Sequence, residues 1–477
     1  MPTGRLFLGS GKAGIIARSP APTASHGEPV TLLHNALPTL TTPLPRHTAC
    51  PGLLRIVQAK DGGICRIKLP GGRLSAAQAL IIAKAAERHA SGVLETTNRA
   101  NLQIRGIRAG EEQALTATLL AAELGPQNSN ADDVRNLMLS PAAGVDPQAL
   151  QDVRPLAAQL LALLENTESL HQLSAKFALQ LDGGEAMAML EHHHDLWLSA
   201  LDTERFALGL ASQPQQALAA VTAQQVPALV LACLELYLQH AAPGHTRMRH
   251  LLEQLPAPEF LSELQTRLPF ALQQDADVLA WRRPAAEPWA YLGIRPQQQS
   301  GLVTVGAASV LGRLSASQLT AIAQLAQGYG AAELYLTPWQ SLLLRNVPTE
   351  LAADLLANLN GLGLLTDSSA PLARIVACSG SKDCGKGLAA SKTDALLLAT
   401  ELARRGQALP GQVHLSACKR SCAAAHIAPH TLLAVAEGRY DLYQRDSSAA
   451  GFGRLLGRDL TILEAADTLA AHPMEAL

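Results

Sequence analysis

The feature that most limits how this chain can fold is a repeat. Residues 72–105 align without a gap on residues 312–345, an offset of 240, with identities at Gly72/Gly312, Arg73/Arg313, Leu74/Leu314, Ser75/Ser315, Ala76/Ala316, Gln78/Gln318, Thr97/Thr337 and Arg105/Arg345. Helices rich in Ala and Leu resemble one another by composition alone, but composition does not account for a shared Gly-Arg-Leu-Ser-Ala or for identities at strand ends. Hydrophobic periodicity reads GICRIKLP as a strand, SAAQALIIAKAAERHA as an amphipathic helix, GVLETT and NLQIRGI as strands, and EEQALTATLLAAEL as a second helix. The same order returns as GLVTVGAA, SASQLTAIAQLAQGYG, AELYLTP, SLLLRNV and ELAADLLANLN.

Two longer regions, each mixing strand-like runs (KFALQLD, RIVAC, QVHLSAC, TLLAVAEG) with helices, lie between and after the repeated units, so the expected architecture is A-B-A′-B′ in the α+β class. A chain of 477 residues exceeds one ordinary core. The expected parts are an arm over 1–48, unit A over 49–128, unit B over 129–298, unit A′ over 299–364 and unit B′ over 365–477. Such a duplication implies a pseudo-two-fold axis, with a ligand at the junction touched by all four parts. Residues 19–48 are dense in Pro, Ser and Thr and read as a linker. Gly9-Ser-Gly11-Lys-Ala-Gly14 fits G-x-G-x-x-G, but no second strand follows before the Pro-rich stretch, so a dinucleotide fold is not expected.

Composition narrows the partners. With 38 Lys+Arg against 40 Asp+Glu, no long basic run and only 3% aromatic residues, nucleic acid is not expected. The amino end lacks the continuous apolar centre of a signal peptide, so a cytoplasmic chain is expected. Val226 to Leu238, the most apolar run, is too short for the roughly 20 residues of a membrane span and reads as a buried helix, so no membrane partner is expected.

Seven cysteines without an export signal point to thiolate chemistry rather than disulfides. Four of them cluster as Cys378-x5-Cys384 and Cys418-x3-Cys422. A cubane iron–sulfur cluster takes four converging thiolates, and pairs on two strand-to-helix turns deliver them. Backbone N–H groups at such turns, with Lys382, Lys386, Lys419 and Arg420 nearby, lower thiolate pKa values. A zinc site and inert buried cysteines are the alternatives, although zinc ligand pairs favour gaps of two to four residues. Cys50, Cys65 and Cys233 read as small buried hydrophobes, His192-His193-His194 as a solvated turn, and His414, His426 and His430 as core histidines.

C-x5-C and C-x3-C behind a duplicated β-α-β-β-α unit, together with KLPGG, TTNRANLQIRG, DVRNLMLSPAAGVDP and SAKFALQLDGG, resemble the siroheme and 4Fe–4S nitrite/sulfite reductase superfamily over about residues 48–477. The resemblance implies two ferredoxin-like half-domains and two mixed α/β reductase-like domains, with Cys422 bridging the cluster to siroheme. It also implies that Lys68, Arg99, Asn101, Gln103, Arg135 and Lys176 grip the macrocycle and its ligand. Where the reductases typically show Arg-Lys-Phe-Lys, this chain has Ala175-Lys176-Phe177-Ala178, and losing such donors weakens oxyanion chemistry.

The detailed wording, VHLSACKRSCAAAHIAP included, is similar to the precorrin-3B synthase branch of aerobic cobalamin synthesis. That branch implies oxygen-dependent hydroxylation of precorrin-3A between rings A and D, with lactone closure by the ring A acetate. It further implies a non-haem iron beside the cluster and a separate electron-donor reductase. A siroheme-dependent sulfite or nitrite reductase and a non-catalytic iron–sulfur electron carrier are the alternatives.

Overall fold

The computed structural model describes residues 50–407, 409 and 411–471; the expected arm and the Gly9–Gly14 motif lie outside the described residues. Unit A runs β1 (Val57–Ala59), β2 (Gly62–Ile67), β3 (Arg73–Ser75), α1 (Ala76–His89), β4 (Val93–Thr96), β5 (Leu102–Ile107) and α2 (Glu112–Ala121). Unit B carries β6 (Leu137–Leu139), α3 (Arg154–Asn166), β7 (Leu179–Asp182), β8 (His194–Ala200), β9 (Arg205–Ser212), β10 (Ala219–Thr222) and α4 (Val226–His240). Unit A′ repeats the first pattern with β11 (Gly293–Pro296), β12 (Leu302–Ala308), β13 (Arg313–Ser315), α5 (Ala316–Tyr329), β14 (Glu333–Leu336), β15 (Ser341–Pro348) and α6 (Ala352–Gly361). Unit B′ has β16 (Ile375–Ala377), α7 (Ser391–Arg404), β17 (Val413–Ser416), β18 (His430–Ala436), β19 (Arg439–Gln444), β20 (Arg454–Leu460) and α8 (Ile462–Ala471).

The repeated Gly-Arg-Leu-Ser-Ala has a role that periodicity does not reveal. Its Arg-Leu-Ser is a short strand given to the other copy: the sheets run β1-β2-β5-β4-β13 and β11-β12-β15-β14-β3. Leu314 pairs with Leu94, and Leu74 with Leu334. The glycine before each strand sits at positive φ, 69° in Gly72 and 77° in Gly312, and a Cβ on Gly72 would lie 2.0 Å from the Leu336 carbonyl oxygen. The serine then caps the helix. Ser75 Oγ accepts from Gln78 N at 3.1 Å while Gln78 Oε1 accepts from Ser75 N at 3.2 Å; Ser315 and Gln318 do the same at 3.0 and 2.9 Å. Each glutamine also donates onward to the end of the second helix of its unit, at Ala122 O and Leu362 O.

Strand exchange merges A and A′ into one apolar core, in which Leu94 and Ile104 share a cluster with Leu334 and Leu344. B and B′ keep separate cores under sheets of identical plan, β6-β7-β8-β9-β10 and β16-β17-β18-β19-β20. In both, the first three strands run parallel and the remaining pairs antiparallel. Parallel strands need crossovers, and loops leaving their carboxyl ends are where an α/β sheet presents ligand-binding groups. No helix among the described residues is long and apolar enough to cross a membrane; Val226–His240 is instead a core helix with Leu229, Val230 and Leu234 buried.

Candidate functional site

All four clustered cysteines line one cavity of about 710 Å³. Cys378 leaves the end of β16, and a short helix over Gly380–Asp383 carries the chain to Cys384, whose N–H donates to Gly380 O at 2.9 Å. Cys418 and Cys422 come after β17, and Ser416 Oγ donates to Cys418 O at 2.7 Å. The pairs are tied together, because Cys378 N–H reaches Leu415 O at 3.3 Å and Ala417 N–H points at Cys378 Sγ at 3.2 Å. Only the first pair stands on a strand-to-helix turn. The second lies in an irregular connection between the parallel strands β17 and β18, where Ser421 takes a left-handed φ of 51° and helical continuation is lost.

A second cavity of about 1000 Å³ adjoins the first, and Arg66, Thr97, Asn98, Arg420 and Cys422 line both. Cys422 is therefore the one cysteine of the four that faces both spaces. Burial first, then the neighbouring thiols of Cys378, Cys418 and Cys384, push Cys422 up to about 11, opposite to the lowering expected from turn dipoles and lysines. Asn98 Nδ2 donates to Cys422 O at 3.2 Å, joining unit A to the cysteine loop.

The larger cavity is a cationic basin. Arg66, Arg99, Lys176, Arg247, Arg249, Lys419 and Arg420 line it against a single carboxylate, Asp195, which Arg247 engages through Nε at 2.8 and 2.9 Å. Arg99 is presented by a tight turn: Thr97 Oγ1 accepts from Arg99 N at 3.3 Å and Asn101 N at 3.1 Å, and Ala100 is held at φ 55°. Burial, with Arg247 and Arg66 nearby, lowers Arg99 to about 10, which still leaves it charged at neutral pH.

The residues expected to grip a macrocycle divide. Arg99 and Lys176 line the basin. Asn101 lines neither cavity, its Oδ1 accepting from Leu69 N at 2.9 Å, whereas Gln103 lines the cysteine cavity and, with its amide oxygen turned to Arg66, accepts from Nε at 3.0 Å and Nη2 at 2.7 Å. Lys68 and Arg135 line neither of these two cavities. Lys68 is buried against the Asp132 carbonyl with Asp133 3.9 Å away, and burial lowers it to about 8; Arg135 pairs with Glu165 at 2.7 Å. Buried carboxylates draw both cations away from the basin. Cys65 and Cys233 are buried as expected, whereas Cys50 is half-buried and lines the basin.

The histidines depart further from expectation. His192 and His194 are 3% and 2% exposed rather than solvated, and His194, the first residue of β8, lines the basin with His193. The rings of His192 and His426 lie 5.2 Å apart, and His426 Nε2 is 3.4 Å from Glu191. Burial holds His194 and His414 near 3, so both are neutral. Among the described residues, no three His, Cys, Asp or Glu side chains are gathered tightly enough to hold one metal ion. The cysteines instead ring a space, a donor set suited to a polynuclear cluster rather than to a lone zinc. Sequence reasoning missed Arg66 and Arg247. Arg66 was legible in the alternation of GICRIKLP; Arg247, in a loop, left no periodic signal.

Comparisons with known proteins point to one family. A family model described as "Nitrite/Sulfite reductase ferredoxin-like half domain" matches twice, at residues 56–122 and 295–362. One described as "Nitrite and sulphite reductase 4Fe-4S domain" matches residues 130–272, the copy of the B fold without the four cysteines. Chloroplastic ferredoxin–nitrite reductase of Zea mays is 32% identical over 390 residues, covering 76% of this chain and 68% of that enzyme. Across the plant enzymes the chain spans about two thirds of their length. Precorrin-3B synthase of Sinorhizobium sp is 26% identical over 401 residues, covering 82% of each chain. Among solved structures, the Mycobacterium tuberculosis NirA protein superposes with a TM-score of 0.70 at 22% identity, covering 85% of this chain and 79% of that one, a likeness of fold.

Proposed function

We propose, from the premise that this chain belongs to the nitrite/sulphite reductase family, that it is an iron–sulfur oxidoreductase holding an anionic tetrapyrrole beside a 4Fe–4S cluster. The observation that carries the reading is the shared wall: Cys422 and Arg420 border both the four-cysteine cavity and a basin with seven cations. Cys378, Cys384, Cys418 and Cys422 would hold the cluster, and Arg66, Arg99 and Lys176 would bind the macrocycle's carboxylates through charge-assisted hydrogen bonds. The bound groups supply one-electron transfer and a coordination site for the reacting ligand. The protein orients them through the Thr97–Asn101 turn, and keeps negative charge close through the uncompensated cations.

The chain-wide likenesses weigh toward siroheme-dependent reduction of nitrite or sulfite, fed by a separate carrier such as ferredoxin, more than toward precorrin-3A hydroxylation. Arg99 and Lys176 are then the cations that meet the oxyanion. One observation favours the second reading: Ala175 and Ala178 are buried and uncharged beside Lys176, and Arg135 is engaged by Glu165. With fewer donors for a reacting oxyanion, the tetrapyrrole itself would be the substrate of an oxygen-dependent monooxygenase of the precorrin-3B synthase type, although the described residues offer no ligand group for the non-haem iron that this branch implies.

One preparation separates these. Purified without oxygen, a reductase shows macrocycle absorption that survives denaturing extraction and consumes nitrite or sulfite with a reduced donor. A synthase shows a broad iron–sulfur spectrum alone and adds one oxygen atom to precorrin-3A, read by product mass. Absence of iron and acid-labile sulfide overturns both. In either case Lys176→Ala should weaken tetrapyrrole retention or turnover by about tenfold, the worth of one charge-assisted contact.

A further inference from the structure

The duplication places a second guanidinium where Arg105 has its twin, and the twin lacks its partners. Arg105 is fully engaged: Asp61 accepts from Nε and Nη2, both at 2.9 Å, and Glu95 accepts from Nη1 at 3.3 Å. At the offset of 240 the counterparts of Asp61 and Glu95 are Gly301 and Tyr335, so both carboxylates are missing around Arg345. Arg345 is nevertheless 3% exposed. Its Nη1 donates to Pro141 O at 3.2 Å, its Cζ sits 4.1 Å over the Tyr335 ring, and its Nε has no partner among the described residues. Stacking on an aromatic face offsets part of the cost of burying a guanidinium, but an orphaned donor and an unpaired charge both remain.

The neighbouring carboxylates are already committed. Asp152 takes Arg154 through three contacts of 2.7–3.1 Å, while Glu333 accepts from Arg73 and from Tyr335 Oη at 2.7 Å. A cavity of about 320 Å³ opens in front of Arg345 and Arg154, closed by Glu333, Tyr335 and Gln297. It shares no lining residue with the cysteine cavity or the basin. Gly144 forms one wall at φ 77°, and a Cβ there would lie 2.1 Å from Arg154 Nε, so the backbone is pared back to let that guanidinium lie against it.

We propose that this cavity binds a small oxyanion of the phosphate or carboxylate class, which supplies to Arg345 the negative charge that Asp61 and Glu95 supply to Arg105. The planar fork of Arg345 offers Nε and one Nη edge to two oxygens, with Arg154 as the second cation. Burial lowers the Arg345 pKa from its ordinary value but leaves a guanidinium charged.

The test is equilibrium titration of the intact, cluster-loaded protein with inorganic phosphate and with acetate at fixed ionic strength. Wild type is compared with Arg345→Met, Tyr335→Glu and the basin variant Lys176→Ala. Tyr335→Glu hands Arg345 the carboxylate its twin already has, so it keeps the buried charge paired and decides the matter should Arg345→Met fail to fold. One binding component should weaken by at least about tenfold in both Arg345-side changes and persist in Lys176→Ala. Phosphate alone in that component identifies a free phosphate ligand, and acetate competing for it identifies a carboxylate. A component that survives Tyr335→Glu, that vanishes only in Lys176→Ala, or that wild type lacks altogether overturns the proposal.

Discussion

B and B′ share one sheet plan, yet the segments that leave their first two strands could hardly differ more. After β16 and β17 come Cys378 and Cys418, opening on a cavity of about 710 Å³; at the same places after β6 and β7 stand Ser140 and Gly184. There the chain plugs itself. Ser140 Oγ donates to Met187 O at 2.6 Å, Asp146 Oδ2 accepts from Met187 N at 3.2 Å, and Met187, Ala188 and Met189 are buried. Duplication thus supplied a frame twice, and side-chain chemistry made one copy a four-cysteine cavity and the other a strut.

Breaking the cysteine half should have the largest effect. Cys384→Ser is expected to abolish or halve the bound iron and sulfide, measured by metal and sulfide analysis, with loss of all electron transfer; full retention would remove Cys384 from the ligand set. Next comes the strut's own buried pair. Arg283 engages Asp182 through Nε at 2.6 Å and Nη2 at 3.0 Å, and donates to Glu185 O at 2.7 Å, with both charged side chains under 4% exposed. Arg283→Met strands a buried carboxylate and should cost about 3–5 kcal/mol in urea unfolding while the cluster content of the folded fraction stays constant. A cost below about 1 kcal/mol would mean that water or Glu185, whose burial beside Asp182 raises its pKa well above the ordinary value, already relieves the charge.

The A units sharpen the same contrast through pH. Burial alone would raise Glu95, but Lys392, Arg105 and Arg313 outweigh it and bring the carboxylate to about 2. A depressed folded pKa stabilises fully above the unfolded value of about 4.5 and is lost as pH falls toward 2. Glu95→Gln should therefore cost roughly 3 kcal/mol at neutral pH and flatten the loss of stability between about pH 4.5 and 2. Tyr335, at the matching position in A′, carries no such acid dependence, and an unchanged pH slope in the Glu95 variant would contradict the assignment. The smallest expected effect is Ser140→Ala, about 1 kcal/mol for one hydrogen bond in the strut, read from thermal unfolding.

Much of this was legible in residue order. The 240-residue offset, the two capping serines and the alternating strands fix what lies near in sequence, since caps and periodicity act within a turn or two of the chain. The four cysteines were legible too, because a reactive residue type in a tight spacing carries its chemistry with it. Sequence did not disclose that Arg-Leu-Ser strands trade sheets, that Lys68 and Arg135 are drawn to Asp133 and Glu165, or that His192 and His194 are buried. Those outcomes turn on which charges and surfaces meet across 30 to more than 200 residues of chain. Burial and pairing energies are set by neighbours in space, and only the tertiary structure chooses them.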